Sequence, residues 1–303
     1  MLSSLPVLRV LSLGLLLAIP TASVSWADQT GTLLLAHGQH AMSDTAGHDH
    51  HHAPPTPSTN PWNQNVEKLA ATLNSSTPTE VAFGMAEPES IQAAVDRLTA
   101  RGVSDIVAVP LFISSHSPII ENFQYILGLR STLAAKTSLK SLEKVKTTAR
   151  FRFTSALDSS PLVSQILLER AKGLTKSPAT TTVVLIAHGP NDEEDNKLWQ
   201  KDMSAHAAYL RAKGGFRSAE FLTIRDDAEG PVKNAAIADF RKRVEDGSKI
   251  GPAVVVPVLL SEGGIEEEVE GTLKGLKYAF AKPLMPHPNF VLWVKEQINH
   301  KDN

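Results

Sequence analysis

The chain repeats itself, and that constrains its fold more than any other feature. "TLLLAHG" at Thr32 to Gly38 returns as "VVLIAHG" at Val183 to Gly189, and "SDIVAVPLFISS" at Ser104 to Ser115 returns as "GPAVVVPVLLSE" at Gly251 to Glu262. Both recurrences are separated by about 150 residues, so they mark one duplication rather than two coincidences. Between them each half holds a further matched stretch, "EVAFGMAEPESIQAAVDRLTARG" from Glu80 and "SAEFLTIRDDAEGPVKNAAIADFRKRVEDG" from Ser218. Each has the pattern of a short strand, a polar turn and an amphipathic helix. The apolar helix positions are Ile91, Ala94, Val95 and Leu98 in the first, and Ala235, Ala236, Phe240 and Val244 in the second. Continuous apolar strands alternating with such helices predict parallel strands buried on both faces. The expected fold class is therefore α/β, with two tandem doubly wound parallel-sheet domains related by an internal repeat.

The first residues stand outside this repeat. Arg9 precedes an apolar run from Val10 to Ile19, and Ser25 and Ala27 supply a small-x-small pattern, which predicts a secretory signal over residues 1–27. The run is shorter than the ~20 residues a spanning helix needs, which favours cleavage over the alternative of a retained anchor. The mature chain, of roughly 275 residues, is long enough for one large or two medium domains, each with its own core, and the repeat favours two. They are expected at 28–174 and 178–303, joined near "KGLTKSPATTT" at Lys172 to Thr182. Residues 39–61 form a long loop rich in His, Pro, Ser and Thr within the first domain. The signal predicts a periplasmic or otherwise extracytoplasmic protein that meets no membrane after cleavage.

Charge and composition remove several classes of function. With 30 basic and 32 acidic residues there is no basic field for nucleic acid. The absence of cysteine excludes disulfides, thiolate nucleophiles and thiolate metal ligands. No Gly-rich phosphate loop of the G-x-x-x-x-G-K-[ST] kind appears, so no nucleotide is expected, and no G-x-S-x-G elbow appears either.

What remains is histidine. His37 and His188 each end an apolar strand and are followed at once by Gly38 and Gly189, which let the backbone turn away. In open parallel sheets ligands bind at the carboxyl ends of strands, so both imidazoles should face that crevice. His116 follows a third strand, predicted from Ile106 to Ile113, at the same sheet edge as His37. Two imidazoles from neighbouring strand ends can hold a borderline divalent metal or take protons. The matching stretch of the second half, "VPVLLSEGGIEEEVEG", offers Glu262 and Glu266 and no histidine; its glutamates are equally readable as the solvated first turn of a helix. Glu87 stands before Pro88, either as a proton relay or as an acid opening a helix. His48, His50, His51 and His52, with His40, form a tract able to bind metal loosely behind His37 and raise its local concentration. His206, His287 and His300 are scattered and expected at the surface, and "NDEEDNKLW" at Asn191 to Trp199 should open a helix.

The stretches "LLLAHG", "FGMAEPESIQAAVDRL" and "VAVPLFISSH" resemble the class II tetrapyrrole chelatases, the family of sirohydrochlorin cobaltochelatases and ferrochelatases. The likeness covers most of the mature chain. It implies ATP-independent insertion of a divalent metal substrate, Co²⁺ first and Fe²⁺ or Ni²⁺ after it, into a tetrapyrrole held between two related halves. It implies His37 and His116 as active-site histidines and Glu266 as the acidic residue of the other wall; His188 and Glu87, by their own places in the chain, are expected to line the tetrapyrrole with them. The alternative is an exported carrier that buffers metal or tetrapyrrole without catalysis, which the histidine tract and the missing second-half histidine also fit. Oligomeric state is not legible.

Overall fold

The structure, a computed structural model, describes residues 29–38, 60–137, 139, 141–262 and 265–300. The expected signal segment, and His40, His48, His50, His51 and His52 of the long loop, lie outside the described residues. The first half runs β1 (Gln29–Ala36), α1 (Pro61–Asn74), β2 (Thr79–Phe83), α2 (Pro88–Ala100), β3 (Val103–Leu111), α3 (Pro118–Ile126), β4 (Arg150–Phe153) and α4 (Pro161–Lys172). The second runs β5 (Thr182–Ala187), α5 (Glu193–Gly214), β6 (Ser218–Thr223), α6 (Gly230–Ile250), β7 (Ala253–Pro257), α7 (Ile265–Thr272), β8 (Ala279–Phe280) and α8 (Asn289–Asn299). The sheets have the orders β2-β1-β3-β4 and β6-β5-β7-β8, with every pairing parallel. The duplication read from the sequence is thus a duplication of topology.

Local chemistry sets the helix starts. Proline opens α1, α2, α3 and α4, where its missing N–H costs nothing and its fixed φ suits the first turn. Asn60 caps α1 by accepting from the Trp62 N–H, and Asp192 caps α5 by accepting from the Glu194 and Asp195 N–H groups. The acidic run at Asn191 therefore opens a helix as expected. In α2 the expected stripe of Ile91, Ala94, Val95 and Leu98 is buried. In α6 it is not: Phe240, Val244 and Gly247 are buried, Ala236 is half-buried and Ala235 is exposed. The first turns of α6 instead bring Lys233 to Asp226 and Glu268.

Side-chain alternation along the strands decides the layering. Leu33 and Leu35 of β1 and Ile106 and Ala108 of β3 pack with α2 and α3 on one outer face. Val184 and Ile186 of β5 and Val255 of β7 pack with α6 and α7 on the other. Their alternates, Leu34 and Val109 in the first sheet and Leu185 and Val256 in the second, belong to one continuous cluster with residues of α1, α4, α5 and α8. The molecule is thus a five-layer stack with a shared helical layer between its sheets. Each half keeps a core of its own on its outer face, and both sheets also cover the same four helices, so each depends on the other to exclude water there.

Polar contacts cross the same layer. Arg152 donates to the carbonyls of Gln297 and Ile298 at 3.1 and 2.7 Å, Arg170 to that of Pro283 at 3.1 Å, and Asn289 Nδ2 to that of Leu162 at 3.0 Å. Among the described residues no helix is long and apolar enough to cross a membrane.

Candidate functional site

Each sheet reverses its strand order beside its first strand, so the carboxyl ends of β1 and β3, and of β5 and β7, flank the crevice where open α/β sheets take ligands. At the ends of β1 and β3 Ala36 is paired with Leu111. His37 therefore leaves one strand while His116 follows the other within five residues.

The His37 side chain is exposed, and its Nδ1 lies 2.6 Å from the Gly38 carbonyl oxygen. A carbonyl only accepts, so Nδ1 carries the proton and Nε2 presents a lone pair. The Trp62 ring stands 6.0 Å away, tilted by 46°. Gly38 has φ +67°, and a Cβ there would meet the Phe83 ring at 2.9 Å, so both conformation and space call for glycine. The second half reproduces this. His188 Nδ1 lies 2.7 Å from the Gly189 carbonyl oxygen, and Gly189 has φ +76° with Thr223 Cβ 2.4 Å from a would-be Cβ.

His116 is held in place by groups the sequence did not single out. Asp158 clamps the neighbouring Ser115, accepting from its N–H and its hydroxyl at 2.7 Å each. Two residues of α5, from the other half of the chain, complete the grip. Trp199 Nε1 donates to the His116 carbonyl at 2.9 Å, and the buried Asp202 Oδ2 lies 3.3 Å from His116 Nε2. Burial, reinforced by the nearby Asp158 carboxylate, pushes the Asp202 carboxyl above its ordinary range.

His206 corrects the sequence reading outright. It is fully buried rather than superficial, with Nε2 donating to the Asp158 carbonyl at 2.8 Å and Nδ1 accepting from the Ser164 hydroxyl at 2.7 Å. Desolvation pushes its imidazole down, towards the neutral form. It thereby fastens α5 to the same Asp158 that clamps the His116 loop. His287, also expected at the surface, is half-buried with Nε2 3.1 Å from Glu169, whereas His300 is exposed.

The remaining candidates separate. Glu87 is exposed at the start of α2, makes no side-chain cap bond, and folds over Gly84, where a Cβ would meet its Cδ at 2.5 Å. Glu266 is half-buried in α7 and lines a cavity of about 350 Å³ with Glu262, Glu267, Glu270 and Lys282; His37, His116 and His188 are not among its lining.

Strand register shows what stands opposite Glu87 in the repeat. Ala36 pairs with Phe83 and Ala187 with Thr223, so Asp227 occupies the second-half position of Glu87. Its Oδ2 lies 3.4 Å from His188 Nε2, and the adjacent Asp226 is ion-paired with Lys233, which also reaches Glu268 at 2.9 Å. Lys233 holds the Asp226 carboxyl below its ordinary range, and the two carboxylates push the Lys233 ammonium well above its own. Aligning the two halves residue by residue offers a sequence signal for Asp227. Nothing local points to Asp202, Trp199 or Asp158.

The comparisons with known proteins bear on this arrangement. A sequence model of the CbiX family matches residues 58–174 and 182–301, one copy on each half. SirB from Bacillus subtilis with Fe³⁺ superposes with a TM-score of 0.60 at 17% identity, covering 89% of this chain and 96% of that one. CbiX described as the terminal enzyme for siroheme biosynthesis in denitrifying bacteria gives 0.56 at 17% identity, covering 90% and 100%. The sirohydrochlorin chelatase SirB from Bacillus subtilis subspecies spizizenii in complex with cobalt gives 0.56 at 15%, covering 89% and 95%. No curated protein sequence matches significantly.

Proposed function

The chain belongs to the CbiX family of class II tetrapyrrole chelatases, and from that premise we propose that it inserts a divalent metal into a sirohydrochlorin-type tetrapyrrole without ATP. Co²⁺ is the first metal to test, with Fe²⁺ and Ni²⁺ next. The observation that carries this reading is the pair His37 and His116, delivered from adjacent strand ends at the point where the strand order reverses.

Insertion exchanges two pyrrolic N–H protons for one M²⁺, so the site needs lone pairs that first hold the metal and then take protons near neutral pH. With Nδ1 donating to Gly38, His37 offers Nε2. Asp202 draws the His116 proton to Nε2 and leaves Nδ1 as its ligand atom, the carboxylate–imidazole arrangement that orients metal-binding histidines. Glu87, one strand over, relays a proton; His188 and Glu266 line the wall supplied by the second half. The tract of His48, His50, His51 and His52 loads metal behind His37. The signal expected over residues 1–27 supports a reaction outside the cytoplasm, which fractionation of expressing cells tests.

The decisive assay mixes the mature chain with metal-free sirohydrochlorin and Co²⁺ under anaerobic conditions and follows absorbance against a no-protein control. Acceleration lost in the His37→Ala/His116→Ala variant supports the reading. Tight binding of metal or tetrapyrrole with no acceleration overturns it in favour of a carrier.

A further inference from the structure

We infer that the second half carries a divalent-cation site of its own, built from His188 Nε2 and one carboxylate oxygen each of Asp226 and Asp227. This goes beyond the proposed insertion reaction and stands without it. The three donor atoms lie within 4.8 Å of one another. Ligands about 2.1 Å from an ion sit at most about 4.2 Å apart across it, so the three close on one ion with a small side-chain adjustment.

The donors are held from outside. His188 Nδ1 is engaged by the Gly189 carbonyl, which fixes the ring and leaves Nε2 outward, 3.4 Å from Asp227. Lys233 steadies Asp226 and is itself tied to Glu268 at 2.9 Å. The turn between them is anchored by Arg225, a buried residue at φ +52° whose guanidinium donates to the Pro190 carbonyl at 3.0 Å and pairs with Glu193. Outer contacts of this kind keep ligands in position before the ion arrives.

Charge points the same way. Lys233 pairs with Asp226 and Glu268 while Asp227 lies against His188, so three carboxylates stand with one ammonium and the cluster has an excess negative charge that a dication offsets. The chemistry differs from that of the first half. One imidazole with two carboxylates is a harder donor set than two imidazoles, and it suits ions that accept oxygen readily, such as Mn²⁺, Fe²⁺ or Co²⁺.

Mn²⁺ is the probe that separates this site from the histidine-rich remainder, because it ranks lowest in affinity for imidazole and favours carboxylate. The full-length chain is titrated with Mn²⁺ and the free ion counted by its EPR signal. The expected result is one Mn²⁺ per chain, retained in His37→Ala/His116→Ala. Its affinity should fall roughly tenfold or more in Asp226→Asn and in Asp227→Asn, since loss of a charged ligand weakens such sites strongly. Asp227 is 67% exposed, so its substitution leaves the fold intact and decides the matter if Asp226→Asn unfolds. Failure of the wild-type chain to take up Mn²⁺ at millimolar concentration, or uptake unchanged in Asp227→Asn, overturns the site. Mn²⁺ uptake is counted with no tetrapyrrole present and cobalt insertion is followed by absorbance on separate aliquots, so the two readings fail separately.

Discussion

The two halves share a strand order, a strand-end histidine and the positive-φ glycine behind it, yet they surround that histidine with opposite chemistry. In the first half a second histidine, His116, follows β3, with its imidazole against a half-buried carboxylate from α5. In the second half two aspartates after β6 meet His188, and a lysine offsets one of them. The difference teaches that duplication preserved what the backbone requires and left the loops free. The glycines are fixed by φ and by close packing against β2 and β6. After the second strands the positive φ falls at Gly84 and Ala86 in one half and at Arg225 in the other, and there the halves diverged into a nitrogen-rich and an oxygen-rich crevice.

The sharpest way to break the comparison is to remove its two histidines in turn. His37→Ala/His116→Ala should lower the cobalt insertion rate by roughly a hundredfold or more, the scale of lost acid–base catalysis, while His188→Ala leaves most of it. Equal losses in a sirohydrochlorin assay would show that both crevices contribute to insertion.

A second comparison asks whether the halves are separable at all. Leu210 of α5 is fully buried in the layer that both sheets cover. Leu210→Ala should destabilise the whole molecule by about 3 kcal/mol and leave a single unfolding transition by calorimetry. Two resolved transitions would mean the shared layer does not couple the sheets.

The cross-half grip on His116 is expected to matter less than the imidazole itself. Asp202→Asn should cost about tenfold in metal affinity at the first-half site, the range seen when a partner of a ligating histidine is lost. Circular dichroism should remain that of the wild type. An unchanged Co²⁺ titration would reduce Asp202 to a packing residue.

The smallest effect concerns pH. Because burial lowers the His206 imidazole in the folded state, the unfolded chain binds this proton more readily, so stability falls as pH drops below the ordinary value of 6.5. The slope from this one group is at most about 1.4 kcal/mol per pH unit, and it ends once folded His206 is also protonated. Thermal unfolding of wild type and His206→Gln between pH 7.5 and 5 checks this, and parallel curves would assign the slope to other groups.

Much of the scaffold was legible because it is written in local periodicity. The unbroken apolar runs of Leu33 to Ala36 and of Val183 to Ala187, and the stripe of Ile91, Ala94, Val95 and Leu98, announce two-sided strands and a one-sided helix without reference to anything distant. The same reading failed for Ala235 in α6, whose apolar methyl is cheap to leave in water while Lys233 nearby has two carboxylates to meet. It failed again for His206, since a lone histidine on a polar helix carries no mark of the Ser164 hydroxyl and Asp158 carbonyl that bury it.

By itself, then, the sequence determined the duplication, the parallel α/β architecture and the histidines at the strand ends, because a repeat and an unbroken apolar run are properties of neighbouring residues. The tertiary structure decided which carboxylate meets which imidazole. Asp202 reaches His116, and His206 reaches Asp158, only because two sheets close over one helical layer. Partners brought together that way are set by how large apolar faces exclude water, and no local spacing of residues records the outcome.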